Sequence, residues 1–135
     1  VENRATLLRV LSDLREKGIR SSLFLDPDPQ MLEQVPGVGA DRIELYTEDY
    51  ASNFASSEQA AVFERYRITA QRAEQVGIGI NAGHDLDLQN LPKFLEIPNI
   101  LEVSIGHALI VESLQLGVAE VISRYLAIVD GSGIK

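Results

Sequence analysis

The 135-residue chain contains no cysteine and only two histidines. The absence of cysteine excludes disulfide bonds, thiolate catalysis and cysteine-ligated zinc. Two histidines among many carboxylates would still permit another metal site. However, the sequence has no His-x-x-x-His or Glu-x-x-His pair, so we expect no metal.

Basic residues are also scarce, with 12 Lys and Arg against 20 Asp and Glu, which gives a net charge of −8. This charge argues against a nucleic-acid partner and against an anionic membrane surface. No apolar run approaches the ~20 residues of a membrane span, and no charged-then-apolar leader opens the chain. We therefore expect a cytoplasmic protein that holds any anionic ligand by local geometry.

The length permits a single domain over residues 1–135 with a core of its own. It is short for a closed barrel of eight βα units, which needs ~200 residues or more. The sequence opens at Val1 without a methionine and runs directly into a predicted helix. We therefore expect a fragment or a processed remainder of a longer protein.

Hydrophobic periodicity predicts an α/β fold of alternating helices and strands. Strands are predicted over residues 19–25, 41–46, 78–81 and 100–105, and helices over residues 6–17, 29–35, 56–76, 88–95 and 108–129. Because no hairpin signal occurs, the alternation indicates parallel β with right-handed crossovers. Four such units are half of an eight-unit barrel, but a four-stranded doubly wound sheet fits the periodicity equally well.

Local signals refine these elements at several points. Asp28 with Pro29 is typical of a helix N-cap followed by the first helical position. Residues 47–55 are predicted to form a polar loop, and Ser56-x-x-Gln59 resembles a capping box. An apolar stripe along residues 114–129 predicts that residues 108–129 form a single last helix.

Both histidines follow predicted strand ends, where parallel α/β proteins keep their chemistry. His84 comes after Ala82-Gly83, and an imidazole there is suited to acid or base catalysis. Asp85 or Asp87 could orient it. The alternative for these two carboxylates is capping of the helix that follows.

The Gly106-His107 turn has the composition of an anion site. Glycine permits close approach to the backbone, and free N–H groups at the start of the next helix suit a phosphate or carboxylate. The alternative is a glycine required by the strand-to-helix turn and a histidine that caps the helix. The residues alone leave both interpretations open.

Glu44 is a carboxylate inside a strand that should be buried. Arg42 and Tyr46 share its parity, so one face of this strand is polar throughout, as a ligand-facing strand would be. Burial would raise the pKa of Glu44 and a cationic neighbour would lower it. If the two faces are assigned the other way, Glu44 is only an edge charge.

Four segments together resemble the C-terminal half of the pyridoxine 5′-phosphate synthase family. They fall in the family's order and at similar spacing across nearly all of the chain. The segments are Ser21 to Asp26, Ile43 to Thr47 with Tyr50-Ala51, Ile80 to His84, and Ser104 to Ile110. The pairing of Asn-Ala-Gly-His with Ile-Gly-His-Ala is far more specific than any lone glycine motif.

The resemblance implies strands five to eight of a (β/α)8 barrel, usually assembled as an octamer, whose N-terminal half is absent here. The implied reaction condenses 1-deoxy-D-xylulose 5-phosphate with 3-amino-2-oxopropyl phosphate, without metal or organic cofactor, in vitamin B6 synthesis. Because the family's N-terminal half supplies other catalytic groups, we expect this half alone to be inactive. The alternatives are another phosphate-sugar isomerase or aldolase barrel and a flavodoxin-like binding domain.

The resemblance also assigns roles to individual residues. His84 matches the family's proton donor, and Glu44 matches a carboxylate thought to steer the transition state. Gly106 and His107 match positions that bind the aminoketone phosphate. Asp85 stands where much of the family has a ligand-binding glycine, so its N–H could still donate while its carboxylate would repel a phosphate.

Overall fold

The computed structural model describes residues 3–133, in which four strands alternate with helices, so that Val1 lies outside the described residues. The strands are β1 (Ser22–Leu25), β2 (Arg42–Tyr46), β3 (Gly79–Gly83) and β4 (Ile100–Ser104). The helices are α1 (Arg4–Glu16), α2 (Pro29–Leu32), α3 (Glu48–Asn53), α4 (Gln59–Gln75), α5 (Leu91–Phe94), α6 (His107–Leu116) and α7 (Val118–Ser132), with a 3₁₀ turn at Pro36–Val38.

All neighbouring strands pair in parallel, and the sheet order β1-β2-β3-β4 follows the chain order. This confirms the predicted α/β fold. A doubly wound sheet reverses its strand order at a switch point and covers both faces with helices. Sequential order with right-handed crossovers instead places the helices on one face, as in a segment of a barrel. The doubly wound, flavodoxin-like alternative is therefore wrong.

The two faces of the sheet differ sharply in burial. Ile43, Leu45 and Ile80 point toward the helices and are at most 1% exposed. A fully buried Leu or Ile contributes roughly 1.5–3 kcal/mol, so this layer supplies much of the stability of the sheet. On the other face Phe24 is 62% exposed and Glu44, its partner in register, is half-buried. The polar face predicted for the second strand is therefore the open face.

The open face is concave. In a flat sheet the first and fourth strands lie about 14 Å apart, which is three strand spacings. Nevertheless Arg20, which precedes β1, donates from Nη2 to Glu102 Oε2 on β4 at 2.7 Å. The two edge strands curve toward each other, as strands of a half-barrel must.

An aromatic cluster holds α3, α4 and α5 against the sheet. Tyr50 is 1% exposed and packs edge-on against Tyr66 and Phe94, with ring centroids 6.0 and 5.0 Å away. Its hydroxyl donates to Asn90 O at 2.8 Å, and the Tyr66 hydroxyl donates to Tyr46 O at 2.7 Å. Tyr50 thus anchors a segment that the sequence predicted to be a loop. Residues 48–53 form α3 instead, because their one large apolar side chain has a place in the core.

The local signals have mixed outcomes. Asp28 accepts from the Gln30 N–H at 2.8 Å and Pro29 occupies the first helical position, so the predicted N-cap is confirmed. The capping box is wrong, because α4 begins at Gln59 and Ser56 lies too early to cap it. The Ser56 hydroxyl instead bonds within the turn, accepting from the Glu58 N–H at 3.0 Å.

The predicted last helix is divided at Gly117, whose φ of +88° and ψ of 140° end α6 and redirect the chain into α7. Its apolar stripe is largely uncovered in the described residues. Val121 and Tyr125 are buried, whereas Leu114 is 85% and Val118 59% exposed. Although both helices are apolar, no helix among residues 3–133 is long and apolar enough to cross a membrane.

Candidate active site

The candidate residues converge at the carboxyl ends of β2, β3 and β4. Because the strands are parallel, their ends meet along one edge of the sheet. β3 continues to Gly83, two residues beyond its predicted end, so His84 is the first residue after the strand. Gly106 and His107 follow β4 at the start of α6. Glu44 lies inside β2, in register with Asn81 of β3.

Glu44 lies half-buried on the concave face. Burial, and to a smaller degree the nearby charge of Glu102, raises the pKa of its carboxyl group, while the Ser104 hydroxyl opposes the shift. The direction agrees with the effect expected for a carboxylate inside a barrel. A carboxyl group whose pKa is raised by burial and lies on a ligand-facing surface is a candidate for proton exchange with a bound molecule.

A charged network fills the concave face nearer the amino ends of the strands. Arg42 Nη1 donates to Asn81 Oδ1 at 2.9 Å and to Glu102 Oε2 at 3.1 Å. Glu102 also accepts from Arg20. Arg42 and Glu102 come from alternate strands, as members of one interior layer of a barrel do. The network leaves Glu44 as the carboxylate of this face without an arginine contact among the described residues.

His84 is held in an unusual backbone conformation with φ of +95°, and Asp85 follows at +55°. Positive φ in non-glycine residues costs of order 1–3 kcal/mol and is concentrated at functional sites. The surrounding hydrogen bonds hold the turn in place. The Thr47 hydroxyl donates to His84 O, and Asn90 Nδ2 donates to Asp85 O at 3.0 Å.

The His84 imidazole has two neighbours. Its ring packs edge-on against Tyr46 with centroids 4.6 Å apart, and its Nδ1 lies 3.0 Å from Asp85 Oδ2. The side chain remains 46% exposed and faces the open end of the sheet. Of the two carboxylates proposed to orient His84, Asp85 is therefore the one that contacts it.

The capping alternative is wrong for Asp87, because Asn90 occupies the N-cap position of α5 and Asp87 lies in the preceding turn. Its Oδ1 accepts from the N–H groups of Gln89 at 2.9 Å and Asn90 at 2.8 Å. The helix it precedes is shorter than predicted, since α5 begins at Leu91 rather than Leu88. Asp87 thus shapes the turn between His84 and α5.

A cavity of about 290 Å³ lies between the His84 turn and α6. Its lining includes Asp85, Asp87, His107 and Glu112, so it brings together two residues assigned to phosphate binding. The start of α6 has no side-chain cap, which leaves N–H groups of its first turn available to an anion. The negative charge of three carboxylates in the lining, Asp85, Asp87 and Glu112, opposes that use, although each of them already contacts a donor within the protein.

Glu112 is a structural link that the sequence analysis missed. It accepts from the Leu88 N–H at 3.1 Å and from the Tyr125 hydroxyl at 2.5 Å, and thereby ties the His84 turn to α6 and α7. The available signal was a single charged residue within the apolar α6 sequence. Within residues 3–133, no group of three or more His, Asp or Glu side chains is arranged to hold a metal ion.

Comparison with known proteins places this geometry in a family. The family described as pyridoxal phosphate biosynthesis protein PdxJ matches residues 1–131. A pyridoxine 5′-phosphate synthase of Christiangramia forsetii is 46% identical over 127 residues, covering 93% of this chain and 53% of the relative. One of Bacteroides thetaiotaomicron is 47% identical over 124 residues, covering 91% and 52%. The chain spans about half the length of the curated relatives it matches.

A solved structure shares the fold. The crystal structure of the Amycolatopsis orientalis BexX/CysO complex aligns with a TM-score of 0.60 at 18% identity. The alignment covers 98% of this chain and 52% of that one. At this identity the likeness concerns the fold alone.

Proposed function

The chain belongs to the PdxJ family of pyridoxal phosphate biosynthesis proteins, and we propose that it is the C-terminal half of a pyridoxine 5′-phosphate synthase. In this proposal residues 1–135 supply strands five to eight of a (β/α)8 barrel, and the other half supplies strands one to four. The observation that supports it is that, in a chain of this family, His84 and Gly106-His107 directly follow the carboxyl ends of the adjacent parallel strands β3 and β4, and Glu44 lies on the neighbouring strand β2.

The proposed reaction joins 1-deoxy-D-xylulose 5-phosphate to 3-amino-2-oxopropyl phosphate and releases phosphate and water. Ring closure of this kind needs protons to be moved on and off oxygen and carbon atoms. The half-exposed imidazole of His84 is the group placed to donate a proton from the open end of the sheet. In this proposal Glu44, whose pKa is raised and which has no arginine contact among the described residues, stabilises charge that develops on the substrate in the transition state.

The substrate phosphate is proposed to bind at the start of α6. Gly106 and His107 offer backbone N–H groups, and the dipole of a ten-residue helix favours an anion there. Asp85 contributes its N–H rather than its carboxylate, which contacts His84 instead. This arrangement uses local geometry to hold an anion despite the net charge of −8.

The proposal extends to the assembly. The free edges of β1 and β4 and the uncovered stripe of α6 and α7 are surfaces that the other half of the barrel would cover. From the resemblance to the family we also propose that the complete protein is a homo-octamer and that it is cytoplasmic. Mass measurement of the native assembly tests the octamer directly.

The experiment is an assay of pyridoxine 5′-phosphate formation by the protein at its natural length, with product identified by mass spectrometry. Intact mass under denaturing conditions first establishes that length. Product formation from the two named substrates, and its loss in a His84→Asn variant, is the expected result. A folded protein that forms no product but converts another phosphorylated sugar would favour an isomerase or aldolase instead.

A further inference from the structure

Gly83 lies directly beneath the Glu44 carboxylate. A methyl group built at Gly83 would collide with Glu44 Oε1 and would lie 3.1 Å from Ser104 Cβ. The φ of Gly83 is not positive, so its backbone conformation does not require glycine. A side chain at this position would instead force the flexible end of Glu44 to move out of the space above Gly83.

Ser104 borders the same space from the next strand. It is the register partner of Gly83, which in turn pairs with Tyr46 on the other side. The carboxylate of Glu44 therefore lies over β3, between its own strand and β4. The Ser104 hydroxyl stabilises the ionised form of Glu44, against the effects of burial and of Glu102.

We propose that Gly83 and Ser104 form a carboxylate platform that positions Glu44 for catalysis. Gly83 acts by the absence of a side chain, and Ser104 acts through its hydroxyl. Both are positioning residues, since they act through Glu44. The inference rests on the proposed function, in which Glu44 works on the bound substrate.

The charged network toward the amino ends of the strands also affects where the Glu44 carboxylate lies. Arg42 and Arg20 both bond Glu102, the carboxylate whose charge reaches Glu44. Because Glu102 already binds both arginines, Arg42 and Arg20 do not draw the Glu44 carboxylate toward the amino ends of the strands. Its position is then set by the room above Gly83.

The matched test compares Gly83→Ala with Gly79→Ala in the protein at its natural length. Both glycines lie on β3 on the same side, and neither has a positive φ. The nearest atoms to a methyl group at Gly79 are Arg42 Cγ and Leu101 Cδ1 at 3.0 Å and Arg42 Cδ at 3.4 Å, which are aliphatic atoms of flexible side chains. The two variants therefore differ in whether the added methyl group displaces Glu44.

We expect Gly83→Ala to lower kcat by about 100-fold with little change in KM, the loss typical of a displacement near 1 Å. Gly79→Ala should stay within a few-fold of the parent in kcat. Equal kcat values for the two variants would overturn the proposal. So would a loss confined to KM, because that would place the effect in substrate binding.

A second measurement does not depend on activity. Carbon-13 NMR of the Glu44 carboxyl group, assigned with Glu44→Gln, reports its titration in the parent and in Ser104→Ala. We expect removal of the hydroxyl to raise the pKa of Glu44 further, and an unchanged or lower pKa would contradict the platform. A shift in the expected direction without any pyridoxine 5′-phosphate formation would uphold the platform and refute the proposed function instead.

Discussion

The two ends of the four strands are built differently. At the amino ends, the charged groups on the sheet are paired. Asp41 accepts from the Ser21 N–H at 2.7 Å and hydroxyl at 2.9 Å, and Arg42 bridges Asn81 and Glu102. At the carboxyl ends, Glu44 lacks an arginine contact and the backbone of the His84 turn lies at positive φ.

The pKa values follow the same division. Hydrogen bonds from the Ser21 backbone and hydroxyl lower the pKa of Asp41, whereas burial raises the pKa of Glu44. A lowered carboxyl pKa stabilises the fold at neutral pH, and a raised one destabilises it. Asp41 at the amino ends therefore contributes stability at neutral pH, whereas Glu44, which the proposal places in the reaction, lowers it. The predictions below test that division, beginning with the largest expected effect.

Replacing His84 with Asn should remove the proposed proton donor while keeping a polar side chain that tolerates the positive φ. We expect turnover of the natural-length protein to fall by about 10²- to 10⁴-fold. The melting temperature should change little, because the imidazole is half exposed and makes no core contact. Near-normal turnover of the variant would show that His84 is not the proton donor.

Replacing Glu44 with Gln should lower kcat by about 10²- to 10³-fold while making the protein more stable at neutral pH. Because the native pKa of Glu44 is raised, the parent loses stability as the pH rises through the unfolded-state value and the native value. The Gln variant has no such loss. The free energy of unfolding, measured in urea from pH 3 to 8, should be the same for the two proteins at low pH, and the variant should become the more stable one as the pH rises. A Gln variant that is less stable than the parent at neutral pH would contradict the division.

Replacing Asp41 with Asn should have the opposite profile, with lower stability at neutral pH and unchanged turnover. The lowered native pKa means that the parent's advantage is fully present above the unfolded-state value and is lost as the pH falls toward the native value. The Ser21 hydrogen bonds are the cause, since they favour the ionised carboxylate. Thermal unfolding of the parent and the variant at pH 7 and pH 2.5 measures the effect. A reduced kcat in the variant would show that Asp41, at the amino ends of the strands, contributes to more than stability.

Replacing Asp85 with Gly should give the smallest change. Glycine adopts the φ of +55° freely, so we expect a stability gain of about 1 kcal/mol. Removing a carboxylate from the cavity shared with His107 should also lower KM for the phosphorylated substrates a few-fold. Asp85→Asn is the control, because it removes the charge and keeps a side chain. We expect KM to fall in both variants and stability to rise only in the glycine variant. An unchanged KM in both variants would mean that the charge of Asp85 does not affect substrate binding.

Much of this architecture could be predicted locally. The repeated junction at Gly18 and Gly77 shows why, because both glycines follow a helix and precede a strand. In each case the residue after the glycine bonds back five residues, from Ile19 N to Leu14 O and from Ile78 N to Ala73 O. Because helix ends of this kind depend only on neighbouring residues, the sequence correctly predicted the order of the four strands and of the helices between them. The pairings Ser21 with Asp41 and Arg42 with Glu102 could not be predicted, since they join residues 20 and 60 positions apart.

The errors have the same physical origin. Residues 48–53 carry a polar pattern typical of a loop, yet they form α3 because Tyr50 enters the core between α4 and α5. The last helix was predicted as one continuous element with an apolar stripe, but Gly117 divides it, and Leu114 and Val118 of the stripe lie uncovered among the described residues. Periodicity identifies an apolar face without identifying what packs on it.

The sequence by itself determined the alternation of strands and helices and the placement of His84, Gly106 and His107 just beyond strand ends. These features depend on short-range backbone preferences and on spacing along the chain. Only the tertiary structure decided that Glu44 faces the concave side, that its carboxylate occupies the space above Gly83, and that Asp85 rather than Asp87 contacts His84. Those outcomes depend on strand register and sheet curvature, which bring together side chains that no local pattern relates.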